Sequence, residues 1–188
     1  MRQIVIRQAS EDDAQLIASA VVMAIGGDES VRRYCGDDYM TVLEELARME
    51  TSQYSWRNAL VAEVDGALAG AVIGYDGARL QELRSHTFDV IRKYIGTEVP
   101  YVGNETGPGE FYLDSIAVLP AFRGCGVGGR LLAAMRDRAL AEGHERVGLL
   151  VDIGNPDAER LYLSLGFRRM EERQFLGHDM WHLQYCQK

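Results

Sequence analysis

The run Arg123-Gly124-Cys125-Gly126-Val127-Gly128-Gly129 has the spacing most suited to chemistry in this 188-residue chain. It follows Phe111-Tyr112-Leu113-Asp114-Ser115-Ile116-Ala117-Val118-Leu119, which reads as a buried strand stopped by Pro120, and it leads into helical spacing at Leu131, Leu132, Met135, Ala139 and Leu140. A strand, a Gly-rich turn and a helix N-terminus gather several backbone N–H groups around one point, and the helix dipole makes that point attractive to phosphate. Residues 113–132 are therefore expected to form an anion cradle, with glycines that accept positive φ and let the backbone approach a ligand, and with the Arg123 guanidinium beside them. The spacing Gly124-x-Gly126-x-x-Gly129, with Asp152 roughly twenty residues on, also satisfies the dinucleotide fingerprint. Against that reading, residues 120–123 intervene between the strand and the first glycine, and residues 153–188 are too few to complete a two-half nucleotide sheet. Other candidates are weaker. Cys125 has no His or acid placed by sequence to activate it and reads as a small residue in a tight loop. His178 and His182 stand outside any H-E-x-x-H or Cys/His zinc pattern, so no metal is expected.

Two linked patterns carry a resemblance. Arg123-Gly124-Cys125-Gly126-Val127-Gly128 resembles the acyl-CoA loop R/Q-x-x-G-x-G/A of the GNAT superfamily of N-acetyltransferases, and Asn155-x-x-Ala158-x-x-x-Tyr162-x-x-x-Gly166-Phe167 resembles that superfamily's next helix-to-strand signature. The resemblance covers Phe111–Phe167. It implies a mixed, mostly antiparallel α/β sheet of about 6–7 strands, flanked by helices and splayed in the middle. It also implies acetyl-CoA as cosubstrate and a small-molecule or peptide amine as acceptor. Pantetheine would pair with the strand edge Ile116, Ala117 and Val118, opposite Val147–Val151, and the pyrophosphate would sit on Gly124, Cys125, Gly126, Val127, Gly128 and Gly129 with Arg123. Val118 N–H is then the oxyanion donor, Tyr162 the acid for the leaving thiolate, and Asn155 a cofactor contact. For the base, two carboxylates stand near the motif. Asp114 lies two residues before Ile116 and so on the same pleat face, while Glu110 precedes the strand and would reach the cleft directly or through water. A non-catalytic acyl-CoA sensor, or an NAD(P)-binding oxidoreductase, is the alternative use of the same cradle.

The rest of the chain has to position these groups. Residues 3–7 read as a strand, and a helix capped by Ser10 runs to about Ile25 and ends at Gly26-Gly27. A second helix spans about Asp37 to Met49. Ala59–Val64 and Leu68–Tyr75 flank Asp65-Gly66 and predict a β-hairpin. Residues 76–109 match nothing in the resemblance; they hold a helical piece from Ala78 to Ile95 and read as a substrate-side flap, or else a solvated excursion, inserted into a single 1–188 domain. Val147–Val151 reads as a strand, Asn155-Pro156 opens a helix, and strands at about Phe167–Gln174 and Met180–Tyr185 close the chain. Helices on both faces of the sheet are the economical arrangement.

Composition excludes other classes. The net charge of −8 argues against a nucleic-acid binder, and the excess acid is confined to residues 1–110, with 18 acidic and 10 basic side chains against ten of each in 111–188. That acidic part, including Asp28, Glu29, Asp37 and Asp38, suits either the steering of a cationic amine or a plain solvated surface. No stretch is long and apolar enough for a membrane, the first residues lack an apolar signal core, and three dispersed cysteines fit a reducing compartment, so a cytoplasmic location is expected. The resemblance adds a homodimer as a common arrangement.

Overall fold

A computed structural model describes residues 2–99 and 103–187. Its seven strands are β1 (Ile4–Gln8), β2 (Ala59–Val64), β3 (Ala67–Asp76), β4 (Phe111–Val118), β5 (Arg146–Asp152), β6 (Arg168–Phe175) and β7 (His178–Cys186). They form one sheet in the order β1-β2-β3-β4-β5-β7-β6, antiparallel everywhere except at the central β4–β5 pair. Six helices flank it: α1 (Ala14–Ile25), α2 (Asp28–Cys35), α3 (Tyr39–Arg48), α4 (Leu80–Ile95), α5 (Val127–Ala141) and α6 (Pro156–Ser164). Among the described residues no single helix is long and apolar enough to cross a membrane.

The two faces of the sheet bury separate cores. On one, α1, α2 and α3 pack through Ile17, Val21, Val31, Leu43 and Leu46 against Val61, Ala71 and Ile73. On the other, α5 and α6 pack through Leu131, Leu132, Met135 and Tyr162 against Val72, Leu113, Val147, Leu149 and Leu183. Period-2 alternation along each strand distributes these side chains between the faces.

Several local expectations hold for identifiable reasons. Asp65 and Gly66 both take positive φ, 51° and 84°, the pair of conformations that a two-residue hairpin turn requires. Asn155 caps α6, its Oδ1 accepting from Ala158 N–H at 3.2 Å. Three expectations need correction. Helix α2 was not foreseen, because Asp28–Cys35 is mostly polar; it folds by burying Val31 and Cys35, four residues apart, against α1 and α3. Helix α3 begins at Tyr39 rather than Asp37. The last hairpin is tighter than expected, since Leu176 and Gly177 turn it in two residues with φ of 51° and 82°.

The 76–109 insertion contributes α4, whose Leu80 and Leu83 pack on Tyr75 and Tyr112, on the sheet face that carries α1 and α3. A buried polar latch fastens it: Arg84 pairs with Glu105, and Gln53 Nε2 donates to Glu105 Oε1 at 3.2 Å and to Tyr75 OH at 3.1 Å. Thr87 Oγ1 accepts from Gln53 N–H at 3.0 Å. Residues 100–102 of the insertion lie outside the described residues.

Candidate active site

The central parallel pair is short. β4 and β5 register only at Phe111 with Val147, Tyr112 with Gly148 and Leu113 with Leu149, and beyond Leu149 β5 continues without β4 as its neighbour. A gap therefore opens along Asp114–Val118. Leu119 N–H donates to Ala69 O of β3 at 2.8 Å, so strand alternation turns the N–H and C=O of Val118 away from β3 and into the gap. Arg123 Nε donates to that Val118 carbonyl at 3.2 Å, which fixes the guanidinium at the mouth of the gap. By the same alternation Ile116 faces the gap, whereas Ala117, opposite Ala71, points its own N–H and C=O at β3. Of the three edge residues expected to pair with a ligand, only Ile116 and Val118 offer backbone groups.

The strand ends against the cradle. Gly124 and Gly126 take φ of 74° and 82°, where a Cβ is strained, and Gly126 is the N-cap of α5. The first bond of that helix runs from Arg130 N–H to Gly126 O at 3.2 Å, so the N–H groups of Val127, Gly128 and Gly129 have no intrahelical acceptor. Those three donors, with the dipole of a 15-residue helix behind them, form an anion site aligned with the gap. The glycines do not act alike: Gly128 and Gly129 have ordinary helical backbone and lie against Leu161 of α6, with a Cβ on either meeting it at 3.6–3.8 Å. Cys125 is half-buried, and its sulfur receives Arg2 Nη1 at 3.3 Å.

On the α5 side of the sheet, Tyr162 is 9% exposed and stacks edge-on against Phe167 with ring centroids 6.2 Å apart. Burial pushes its phenol up to about 12, so it is a proton donor through the physiological range. It lies close enough to Tyr112 of β4 to help raise that hydroxyl as well, although burial dominates there. Asn155 holds its Oδ1 in the α6 cap rather than turning it toward the cradle.

Asp114 lies on the opposite side from the one its spacing implied. Ile73 registers with Ser115 and Gly74 with Leu113, leaving Asp114 as the extra residue of a β-bulge. The bulge breaks the alternation that would have put Asp114 on the face of Ile116. Ile116 packs into the α5 core, while the Asp114 carboxylate turns toward α4, accepting from Tyr75 OH and from Ser115 Oγ, each at 2.8 Å. Burial raises its pKa against the pull of those two hydrogen bonds, and the side chain stays only part-buried at the gap.

Glu110 does not project free into a cleft. It is 7% exposed, and its carboxylate accepts from His182 Nε2 at 2.7 Å, Gln184 Nε2 at 2.6 Å and Thr106 Oγ1 at 2.8 Å. Burial alone would push the carboxyl up, but the bonds from His182 and Gln184, helped by Thr106, hold it below the usual range. The carboxylate rests over Gly148 of β5 so closely that a Cβ there would lie 1.9 Å from Oε2. Tyr75 escaped the sequence reading, which weighed His182 only as a metal ligand. Neither belongs to a motif, and their partners Asp114 and Glu110 are 39 and 72 residues away, a separation no spacing rule bridges.

Comparison with known proteins agrees with this geometry. The sequence profile of the acetyltransferase (GNAT) family matches residues 29–167. The chain is 32% identical to a protein whose crystal structure is described as that of an acetyltransferase, with a TM-score of 0.80 over 97% of this chain and 98% of that one. It is 26% identical to an N-acetyltransferase from Staphylococcus aureus Mu50, with a TM-score of 0.81 over 96% of this chain and 100% of that one. An uncharacterized protein of Mycobacterium leprae is 35% identical over 129 residues, 68% of this chain but only 32% of that protein's length. The chain belongs to the acetyltransferase (GNAT) family, and its seven-stranded, mostly antiparallel sheet flanked by six helices is the fold of that family.

Proposed function

We propose that this chain transfers an acetyl group from acetyl-CoA to a primary amine by direct attack in a ternary complex. The observation that carries the reading is the alignment of the open β4 edge with the unpaired N–H groups at the start of α5. An extended amide chain ending in a pyrophosphate needs strand-like hydrogen bonds followed by an anion site, and Ile116, Val118 and Val127–Gly129 supply them in that order. Bound there, the cosubstrate supplies the thioester. Val118 N–H stabilises the developing oxyanion, and Tyr162 protonates the leaving thiolate. Asp114, part-open where the gap begins, meets the acceptor's ammonium from the α4 side. No metal is required, the acceptor is a small-molecule or peptide amine, and the work is cytoplasmic.

Thermal unfolding with acetyl-CoA, coenzyme A and NADH at matched concentration tests the cradle, since a ligand of the native state raises stability by RT ln(1 + [L]/Kd). We expect a rise with both coenzyme A species and none with NADH, together with thiol release when a panel of primary amines is added. A rise with NADH alone would make the protein a dinucleotide binder, and binding of acetyl-CoA with no thiol release from any amine would make it a sensor.

A further inference from the structure

Asp114 is an acid drawn into the protein without a cation. Asp13 is paired with Arg7, Glu105 with Arg84 and Glu159 with Arg169, whereas among the described residues Asp114 has no ion-pair partner. The charge of Arg84 reaches it, but that guanidinium is already held by Glu105. The hydrogen bonds Asp114 accepts come from two neutral donors, Tyr75 OH and Ser115 Oγ, each at 2.8 Å, which do not cancel a full negative charge. A carboxylate has about four lone-pair positions, so both oxygens keep room for a further donor.

The surroundings suit a small cation. Tyr34 of α2 and Tyr54 of the segment between α3 and β2 interact through their phenols, and both lie in the field of the Asp114 carboxylate. Tyr34 also meets Phe88 of α4 edge-on, with ring centroids 6.1 Å apart. Tyr34, Phe88 and Asp114 are half-buried, so the group is reachable, while Tyr54 and Tyr75 are buried behind it. Hydroxyl oxygens and a carboxylate together accept the three donors of an ammonium, and a ligand carboxylate would meet Asp114 as a like charge. All of these rings belong to residues 1–110, the part of the chain that holds the excess acid. Distance then decides which amine of the acceptor is bound. Val118, the oxyanion donor, stands four residues further along β4, about 13 Å of extended strand. Taking off about 3 Å for the contact at each end leaves about 7 Å between the reacting nitrogen and one held by Asp114. A single ammonium does not reach both.

We propose that the acceptor is an aliphatic diamine or polyamine, one amine of which is acetylated beside Val118 while a second, non-reacting ammonium is anchored on Asp114. The inference rests on the acetyltransferase reading above, with Val118 N–H as the oxyanion donor. Asp114 is then a specificity-determining residue rather than a base, and an extended spacer of about five carbons fits the separation. The product keeps its distal ammonium and has an amide in place of the reacting amine. A second acetylation would have to put that neutral amide on Asp114, so the product stays monoacetylated.

The test compares acceptors that differ only at the far end. Thiol release at saturating acetyl-CoA would be measured with pentylamine, 1,5-diaminopentane and 5-aminopentanoate, with longer and shorter α,ω-diamines, and with phenethylamine and an Ala-initiated peptide. With the wild-type protein, 1,5-diaminopentane should exceed pentylamine about 30-fold in kcat/KM, chiefly through KM, and 5-aminopentanoate should fall below both. Rates along the diamine series should peak at a spacer of about five carbons, and mass spectrometry should find the monoacetylated product. Asp114→Asn should bring the ratio of 1,5-diaminopentane to pentylamine close to one. Equal kcat/KM for those two acceptors in the wild type, an unchanged ratio in Asp114→Asn, or diacetylation as fast as monoacetylation would overturn the anchor and leave the acetyltransferase reading standing. Turnover confined to phenethylamine or the peptide would do the same. Absence of thiol release with every amine would remove both.

Discussion

At the scale of single residues, Tyr162 makes the sharpest claim, because burial does the same work that catalysis needs. A phenol pushed up to about 12 stays protonated across the whole range in which an amine is both soluble and nucleophilic, so it is always ready to donate. Tyr162→Phe removes only the hydroxyl and keeps the ring stacked against Phe167. We expect kcat to fall by one to two orders of magnitude with little change in acetyl-CoA affinity or thermal stability, read from steady-state rates and ligand titration. Equal losses in kcat and in cofactor affinity would make Tyr162 a binding residue instead. The sequence reading takes Tyr162 from the resemblance of Asn155-x-x-Ala158-x-x-x-Tyr162-x-x-x-Gly166-Phe167 to a family signature, and the structure puts it on α6, buried against Phe167. Asp114 was legible as a candidate but not in its direction. A bulge shifts alternation by one residue and leaves no mark in the side chains that flank it. The Glu110–His182 contact reaches from the residue before β4 across Gly148 of β5 to the middle of β7, and with 72 residues between them neither residue signals the other.

At the scale of elements, the glycine punctuation and strand alternation placed all seven strands and every helix except α2, whose polar sequence hides a two-residue buried stripe. The insertion is fastened to the sheet by a buried polar network. Helix α4 is held to the 103–106 segment by the Arg84–Glu105 pair, with side chains 9% and 5% exposed, and Gln53 and Tyr75 close the network over Asp114. Removing one charge of a buried pair typically costs about 3–5 kcal/mol. Glu105→Gln should therefore lower the unfolding free energy by about 3 kcal/mol in urea titrations, since Asn104 and the Gly103 carbonyl still accept from Arg84. Glu29→Gln, which breaks the exposed Arg33 pair on α2, is the control and should cost less than about 1 kcal/mol. Similar small costs for both would mean that packing of Leu80 and Leu83, rather than the latch, holds α4 in place.

At the scale of the whole molecule, one carboxylate ties stability to pH. Burial raises the pKa of Asp114 above its unfolded value, so its contribution to folding is favourable below the unfolded pKa and is lost as pH rises through the folded one. At neutral pH the ionised side chain is a net strain on the fold, only partly offset by its hydrogen bonds from Tyr75 and Ser115. Asp114→Asn keeps the shape, and its amide can still bond Tyr75 and Ser115, so the variant should melt at a higher temperature than the wild type at pH 7. That advantage should shrink as pH falls and vanish below the ordinary carboxylate range, where the wild-type Asp114 is itself neutral. The same substitution should raise KM for cationic acceptors. Melting curves at pH 7 and pH 3, set beside acceptor kinetics, separate this from the opposite case. If Asp114→Asn lowers the melting temperature at both pH values, the carboxylate is a structural tie between β3 and β4 and the acceptor binds elsewhere along the gap.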